Sequence, residues 1–301
     1  MGALNGIRLQ SKLHLPNKKR CFAFGCSYTS WIYPTFGDLI GVNFEEYYNF
    51  GRSGCDNNYI LNRLIEANQL FKFDPDTDFI LIGITSVGRF SHWDNNDDWI
   101  CAGDVFSLSD QFKTAKFAKT IYNSIWAGYR STLAILNIRD VLKSYGVKHI
   151  VYPTVDNVDY LAGNYQYGVV TRNEFVPILT EQFNKAYETL TISTSIDEIR
   201  KEAKQEKIKF IDDPSWNDDH PTTKTHYYYL KKYFSMYDTE KTREIVNLFS
   251  SQTYQNMNEL KDHFKNNFTL KYRQDIKYED SLFLRYSDAN CERIKEYREI
   301  K

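Results

Sequence analysis

The stretch Phe22-Ala23-Phe24-Gly25-Cys26-Ser27-Tyr28-Thr29 decides the architecture of this chain. Cys21 to Phe24 is a short apolar run without polar alternation, the pattern of a strand covered on both faces. Glycine ends the run, a serine follows, and further small polar residues come next. A buried parallel strand that stops in this way delivers a hydroxyl to the edge of its sheet. Far downstream stands Asn217-Asp218-Asp219-His220-Pro221, an acid–histidine pair at the entry to a new helix. An early serine and a late histidine are the minimum for a hydrolase nucleophile and its base.

Strands and helices alternate outward from this stretch. A short helix is expected over 31–40, with Pro34 near its start, and a strand over 46–50, closed by Gly51. The spacing of Ile60, Leu61, Leu64, Ile65 and Leu70 predicts a helix over 57–71. Asp78 to Ile84 has the continuous β-branched character of a central parallel strand. Residues 91–110 read as a polar insert, with His92, Trp93 and Trp99 in a loop. A long helix is expected over about 109–145, stopped by Gly146. Strands over 149–152 and 208–211 flank a polar region (154–180) and a further helix to about 207. Such alternation predicts an α/β fold, a parallel sheet with helices on both faces. Ser27, Gly54, the segment 83–89 and His220 all follow strands, so they are expected on one edge of the sheet. Three parts are expected: an irregular lead-in (1–19), the α/β domain (20–235) and a mostly helical C-terminal extension (236–301) without strands.

The bulk composition narrows the function classes. A net charge of -1 over 301 residues gives no global basis for nucleic-acid binding. Five cysteines, odd in number and without metal-type spacing, suggest reduced thiols in a cytoplasm-like compartment, and no metal or other cofactor is expected. No apolar run approaches membrane-spanning length, and the start of the chain lacks a basic region followed by an apolar core. The 23 Tyr and 20 Phe exceed what one core can enclose, and exposed rings suit sugars, partner proteins or subunit contacts.

Four segments carry chemistry: Gly25-Cys26-Ser27-Tyr28-Thr29, then 49–58 with Gly54, Asn57 and Asn58, then Gly83-Ile84-Thr85-Ser86-Val87-Gly88-Arg89, then Asp218-Asp219-His220-Pro221. Over roughly 20–235 this set resembles the SGNH (GDSL-like) hydrolase superfamily. The residues Trp31-Ile32-Tyr33-Pro34-Thr35 and Gly88-Arg89-Phe90 are similar to a branch found in tailed phages and marine bacteria. The resemblance implies a flavodoxin-like α/β/α sandwich and an esterase, lipase, carbohydrate deacetylase or acyltransferase activity. It implies Ser27 as nucleophile, with Cys26 where the family keeps Asp. It implies Gly54 as a backbone oxyanion donor and His220 as general base. The family's acid position falls on Asn217, so Asp218 is the expected orienting acid and Asp219 is less well placed. Thr85 stands where the family has an oxyanion-binding Asn, and loss of such a donor costs about 10²–10³ in turnover.

The expected activity is therefore a serine esterase or carbohydrate O-deacetylase acting through an acyl-enzyme. Ser27, His220 and Asp218 are its triad, and Ser27, Gly54 and Thr85 its oxyanion donors. Asn57, Arg89 and His92 are candidate substrate-binding residues, although salt bridges are as expected for Arg89 and a plain surface loop for His92. His226 reads as structural. The expected partner is an acylated small molecule or glycan. The alternative reading, from a different class, is a carbohydrate-binding or assembly module with little or no turnover, in a virion or at a cell surface. The C-terminal extension would then be the surface for homo-oligomer or assembly contacts.

Overall fold

The computed structural model describes residues 18–93, 99–104, 124–155, 176–202, 208–213, 218, 220–250 and 253–275. Its strands are β1 (Arg20–Phe24), β2 (Glu46–Asn49), β3 (Asp78–Ile84), β4 (Arg89–Trp93), β5 (Trp99–Asp104), β6 (Lys148–Pro153) and β7 (Gln274–Asp275). Its helices are α1 (Phe36–Gly41), α2 (Asn57–Phe71), α3 (Ser124–Tyr145), α4 (Val176–Tyr187), α5 (Ile196–Glu202), α6 (Thr223–Tyr233), α7 (Glu240–Ser250) and α8 (Met257–Phe264). The last of these runs on through a π-helical segment (Lys265–Thr269) and a final turn (Leu270–Tyr272).

The main sheet has five strands in the order β6-β3-β1-β2-β7, and every pairing in it is parallel. All five residues of β1 are buried, which explains its unbroken apolar sequence. On one face Phe22 packs 5.2 Å from Phe71 of α2, and Phe24 stacks on Phe50 at 4.7 Å. On the other face, a Cβ placed on Gly37 of α1 would lie 3.3 Å from Ala23. Helices therefore cover both faces, as the alternating pattern requires. At the amino end of the sheet Arg20 clasps Asp78 with two bonds, Nε to Oδ1 at 2.7 Å and Nη2 to Oδ2 at 2.6 Å. That pair fixes the register of the two central strands at the end opposite the functional loops.

Several expectations need correction. The helix expected over 31–40 begins only at Phe36. Tyr33 precedes a proline and is disfavoured in helical backbone. Thr35 then caps the helix through its N–H and Oγ1, both donated to Asp38 Oδ2 at 2.9 and 3.0 Å. Within the polar insert β4 pairs antiparallel with β5, so His92 lies on a strand and not in a loop, while 94–98 and 105–110 lie outside the described residues. The expected long helix is present from Ser124 onward, and 109–123 lies outside the described residues. The expected strand over 208–211 is reduced to a single bridge between Phe210 and Tyr254. Ile211 in that run is 57% exposed, so it lacks the two-sided burial of an inner parallel strand.

The C-terminal part is not a separate appendage. Ile245, Val246 and Phe249 of α7 and Leu260 and Phe264 of α8 belong to the same buried cluster as β1. β7 adds a short edge strand beside β2, where no strand was expected. Arg273 reaches inward to Asp38, a fully buried carboxylate, with Nη1 at 3.2 Å from Oδ1. Its Nη2 donates to Ser30 Oγ at 2.6 Å. Removing one partner of a buried pair strands the other charge. Arg273→Met is therefore expected to lower stability by about 3–5 kcal/mol in urea unfolding. Arg273→Lys is expected to recover only part of this, because an ammonium cannot span both partners as a guanidinium does.

Candidate active site

The site is assembled from the loops that leave the carboxyl ends of β1, β2 and β3. The first loop turns sharply. The carbonyl of Cys26 accepts from Thr29 N at 2.9 Å and Ser30 N at 3.1 Å, so the chain folds back immediately after the strand. Gly25 permits this turn, because a Cβ there would come 2.1 Å from Thr29 Oγ1. Ser27 sits on the bend and is only 3% exposed.

The second loop is tied to the first. Arg52 N donates to the Gly25 carbonyl at 2.9 Å, and Cys55 Sγ donates to the same oxygen at 3.3 Å. Gly54 has φ +75°, the left-handed region that favours glycine. A side chain there would also press on the backbone of β5, with the Cys101 oxygen 3.0 Å away. Gly103 N donates to the Gly54 carbonyl at 3.0 Å, so the β4–β5 hairpin rests directly on this loop. The backbone N–H groups of Ser27 and Gly54 make no hydrogen bond among the described residues, which leaves both available as donors.

The third segment has a different task from the one expected. Asn57 Oδ1 accepts from Thr85 N at 2.9 Å, while its Nδ2 donates to Thr85 O at 3.0 Å and Ser131 Oγ at 2.7 Å. Both amide hydrogens are thus committed, and the residue is buried. Asn57 is therefore a staple joining the loops after β2 and β3 to α3, not a substrate ligand. Thr85 is fully buried, and its hydroxyl makes no hydrogen bond among the described residues. It is held within the wall and not at the mouth of the site.

Arg89 begins β4, close enough to Cys26 and Cys55 to act on the charge of both. Burial pushes the Cys26 thiol up, but the Arg89 guanidinium, the Tyr28 N–H and the Thr154 hydroxyl bring it below its usual value. Cys55 lacks that balance, and burial pushes it well up. The positive charge of Arg89 is thus felt at the residue before Ser27 and at the residue after Gly54. His92 is half-buried further along β4, with its ring 5.4 Å from that of Phe90.

The fourth segment carries the acid and the base. His220 Nδ1 lies 2.6 Å from Asp218 Oδ1, and the same oxygen accepts from His220 N at 3.0 Å. Asp218 Oδ2 accepts from Trp31 Nε1 at 2.9 Å and from Tyr33 Oη at 3.2 Å. Burial pushes the Asp218 carboxyl up, but the hydrogen bonds from His220 and Trp31 outweigh it and hold it below its ordinary value. Trp31 stacks on the His220 imidazole with 3.8 Å between centroids and 22° between planes, and Tyr28 meets it edge-on at 5.7 Å. His220 therefore rests against residues of the Ser27 turn itself. Ser27 Oγ makes no hydrogen bond among the described residues, so of the expected triad the Asp218–His220 contact is formed and a His220–Ser27 contact is not. Asn217 and Asp219 lie outside the described residues.

Trp31 and Tyr33 escaped the sequence reading because it placed them in a helix. The signal was their spacing, two polar-tipped rings two residues apart directly after the serine turn. Among the described residues, no group of three or more His, Cys, Asp or Glu is arranged to hold a metal ion, and no helix is long and apolar enough to cross a membrane. No protein-family model matches the chain, and no curated protein matches it.

Two outcomes test this construction. His226 on α6 is buried beside Tyr28, and burial pulls its imidazole down to about 3. Its folded value lies below the unfolded value of about 6.5, so the neutral ring contributes stability that is full above that pH. The contribution is lost as pH falls from there toward 3, about 5 kcal/mol in all. Urea unfolding of His226→Phe is expected to show a shallower loss of stability over that range than the wild type. Asn57→Ala, which leaves the Thr85 N–H buried and unpaired, is expected to lower stability by about 1–3 kcal/mol in the same assay.

Proposed function

We propose that this protein is a serine hydrolase of the SGNH type, an esterase or carbohydrate O-deacetylase working through an acyl-enzyme. The observation that carries the reading is the meeting of remote segments. The Asp218–His220 pair, joined at 2.6 Å, rests through Trp31 and Tyr28 on the turn that presents Ser27. The strand order β2-β1-β3-β6 also suits a flavodoxin-like sandwich, in which ligands bind outside the carboxyl ends of the strands.

In this reading His220 Nε2 takes the proton of Ser27 as Oγ attacks an acyl carbonyl carbon. Asp218 holds Nδ1–H and supports the imidazolium that forms. The carbonyl π electrons move to oxygen, and the N–H groups of Ser27 and Gly54 bind that oxyanion. The Arg89 charge supplies part of the stabilisation that the family draws from an asparagine. Collapse of the tetrahedral intermediate expels the alcohol, which receives the proton from His220. Water, activated by His220, then releases the acid. A sugar hydroxyl in place of that water would make the protein an acyltransferase, and product analysis with an acceptor present separates the two.

The enclosed Thr85 and the nearly buried Ser27 favour one alternative, a carbohydrate-binding or assembly module with little turnover. The experiment that decides is hydrolysis of p-nitrophenyl acetate together with labelling by a fluorophosphonate. Both are expected in the wild type and lost in Ser27→Ala, and activity surviving that change would sink the assignment. Asp218→Asn is expected to cut kcat by up to about 10⁴, because the imidazole is then held in the wrong tautomer. Failure of every acyl probe with retained glycan binding would favour the module.

A further inference from the structure

We infer that Trp31 is a positioning residue of the catalytic pair, holding Asp218 and His220 at once through two different parts of one indole. This rests on the serine-hydrolase reading above. A histidine two residues after its acid sits on irregular chain ahead of α6, where backbone alone does not fix its ring. His220 keeps 25% of its side chain exposed, and Tyr28 meets its ring only edge-on. The indole supplies two restraints. Its Nε1–H donates to Asp218 Oδ2 at 2.9 Å, which leaves Oδ1 to face His220 Nδ1 at 2.6 Å. Its π face lies against the imidazole at 3.8 Å and 22°, which blocks rotation of the ring toward that side. An imidazolium in that position also meets the negative face of an aromatic ring as it takes the serine proton. Tyr33 completes the clamp, with Oη 3.2 Å from Asp218 Oδ2 and 3.3 Å from the His220 carbonyl. Pro34 and the Thr35 cap keep 31–33 out of the helix and so leave both rings at the site.

The two contacts separate by substitution. Trp31→Phe keeps an aromatic face and loses the N–H; Trp31→Leu loses both. In the full chain, the fluorophosphonate inactivation rate constant is expected to fall about 10–100-fold in Trp31→Leu with its binding constant little changed, as misplacement of a catalytic group does. Trp31→Phe is expected to lose up to about tenfold, the effect of one hydrogen bond. A second readout does not depend on turnover. The downfield proton resonance of His220 Nδ1–H, identified by its disappearance in Asp218→Asn, is expected to persist in Trp31→Phe and to vanish by exchange in Trp31→Leu. A folded Trp31→Leu with the wild-type labelling rate and an intact resonance overturns the inference. Should Trp31→Leu not fold, the rate in Trp31→Phe decides, and an unchanged rate overturns it. Should the wild type take no label, or keep it in Ser27→Ala, the hydrolase reading falls. The resonance then decides on Trp31 alone, its loss in Trp31→Leu supporting the clamp and its persistence overturning it.

Discussion

The buried carboxylate of Asp38 is the point on which the functional edge of this fold depends. It is fully enclosed, and burial pushes its carboxyl above the usual range despite the Arg273 guanidinium and several donors that pull it down. Thr35, Tyr47, Asn49 and Arg273 all hydrogen-bond to it. Three of these partners also reach the serine turn. Thr35 Oγ1 lies 2.8 Å from Thr29 O, Asn49 Nδ2 donates to the same oxygen at 2.9 Å, and Arg273 donates to Ser30 Oγ. One acid therefore binds α1, β2 and the C-terminal strand together and fixes the loop that carries Ser27. A buried ion pair is weak grounds for claiming net stability, yet it strongly disfavours arrangements that separate its members. Here such arrangements include any shift of the C-terminal segment away from β2.

From that frame the site is built mainly by backbone. The turn at Cys26, the left-handed Gly54 and the hairpin resting on it each close a loop through main-chain bonds. Asn57 adds side-chain bonds that copy a strand's pairing, accepting from Thr85 N and donating to Thr85 O. The consequence is a rigid loop edge. In the proposed hydrolase, donors fixed in advance would need no reorganisation during reaction, which is the main source of electrostatic catalysis. Thr85 has its main chain committed to Asn57, while its buried hydroxyl makes no hydrogen bond among the described residues.

Much of the fold was legible because its signals are local. β3 and α2 have the bounds expected from an unbroken apolar run and from 3.6-residue periodicity. The failures share one cause, dependence on distant partners. Ile208 to Ile211 looks like a strand in composition, but its pairing was decided by Tyr254, a residue no local pattern links to it. Gln274 and Asp275 look like nothing in particular and become a strand because the edge of β2 is open to them. For the candidate site, the positions of Ser27 and Gly54 were legible from the strands they follow, and the Asp218–His220 contact from its two-residue spacing. Asn57 was misread because a helix start near a candidate oxyanion site suggests a ligand role, whereas its partners come from β3 and α3.

The two halves of the site also differ in how they manage charge. On the acid side Asp218 is saturated, with His220 on one oxygen and Trp31 and Tyr33 on the other. Every donor there favours the ionised carboxylate, so a proton arriving on His220 meets a fixed counter-charge. On the serine side the Cys26 thiol is lowered by Arg89 but fully buried. The Arg89 charge acts there and at Cys55, beside the buried Asp56 carboxylate. In the proposed hydrolase, Arg89 would stand on the oxyanion side of an attacked carbonyl and Asp218 at the far end of the proton path, a division of charge that does not call on an asparagine at position 85.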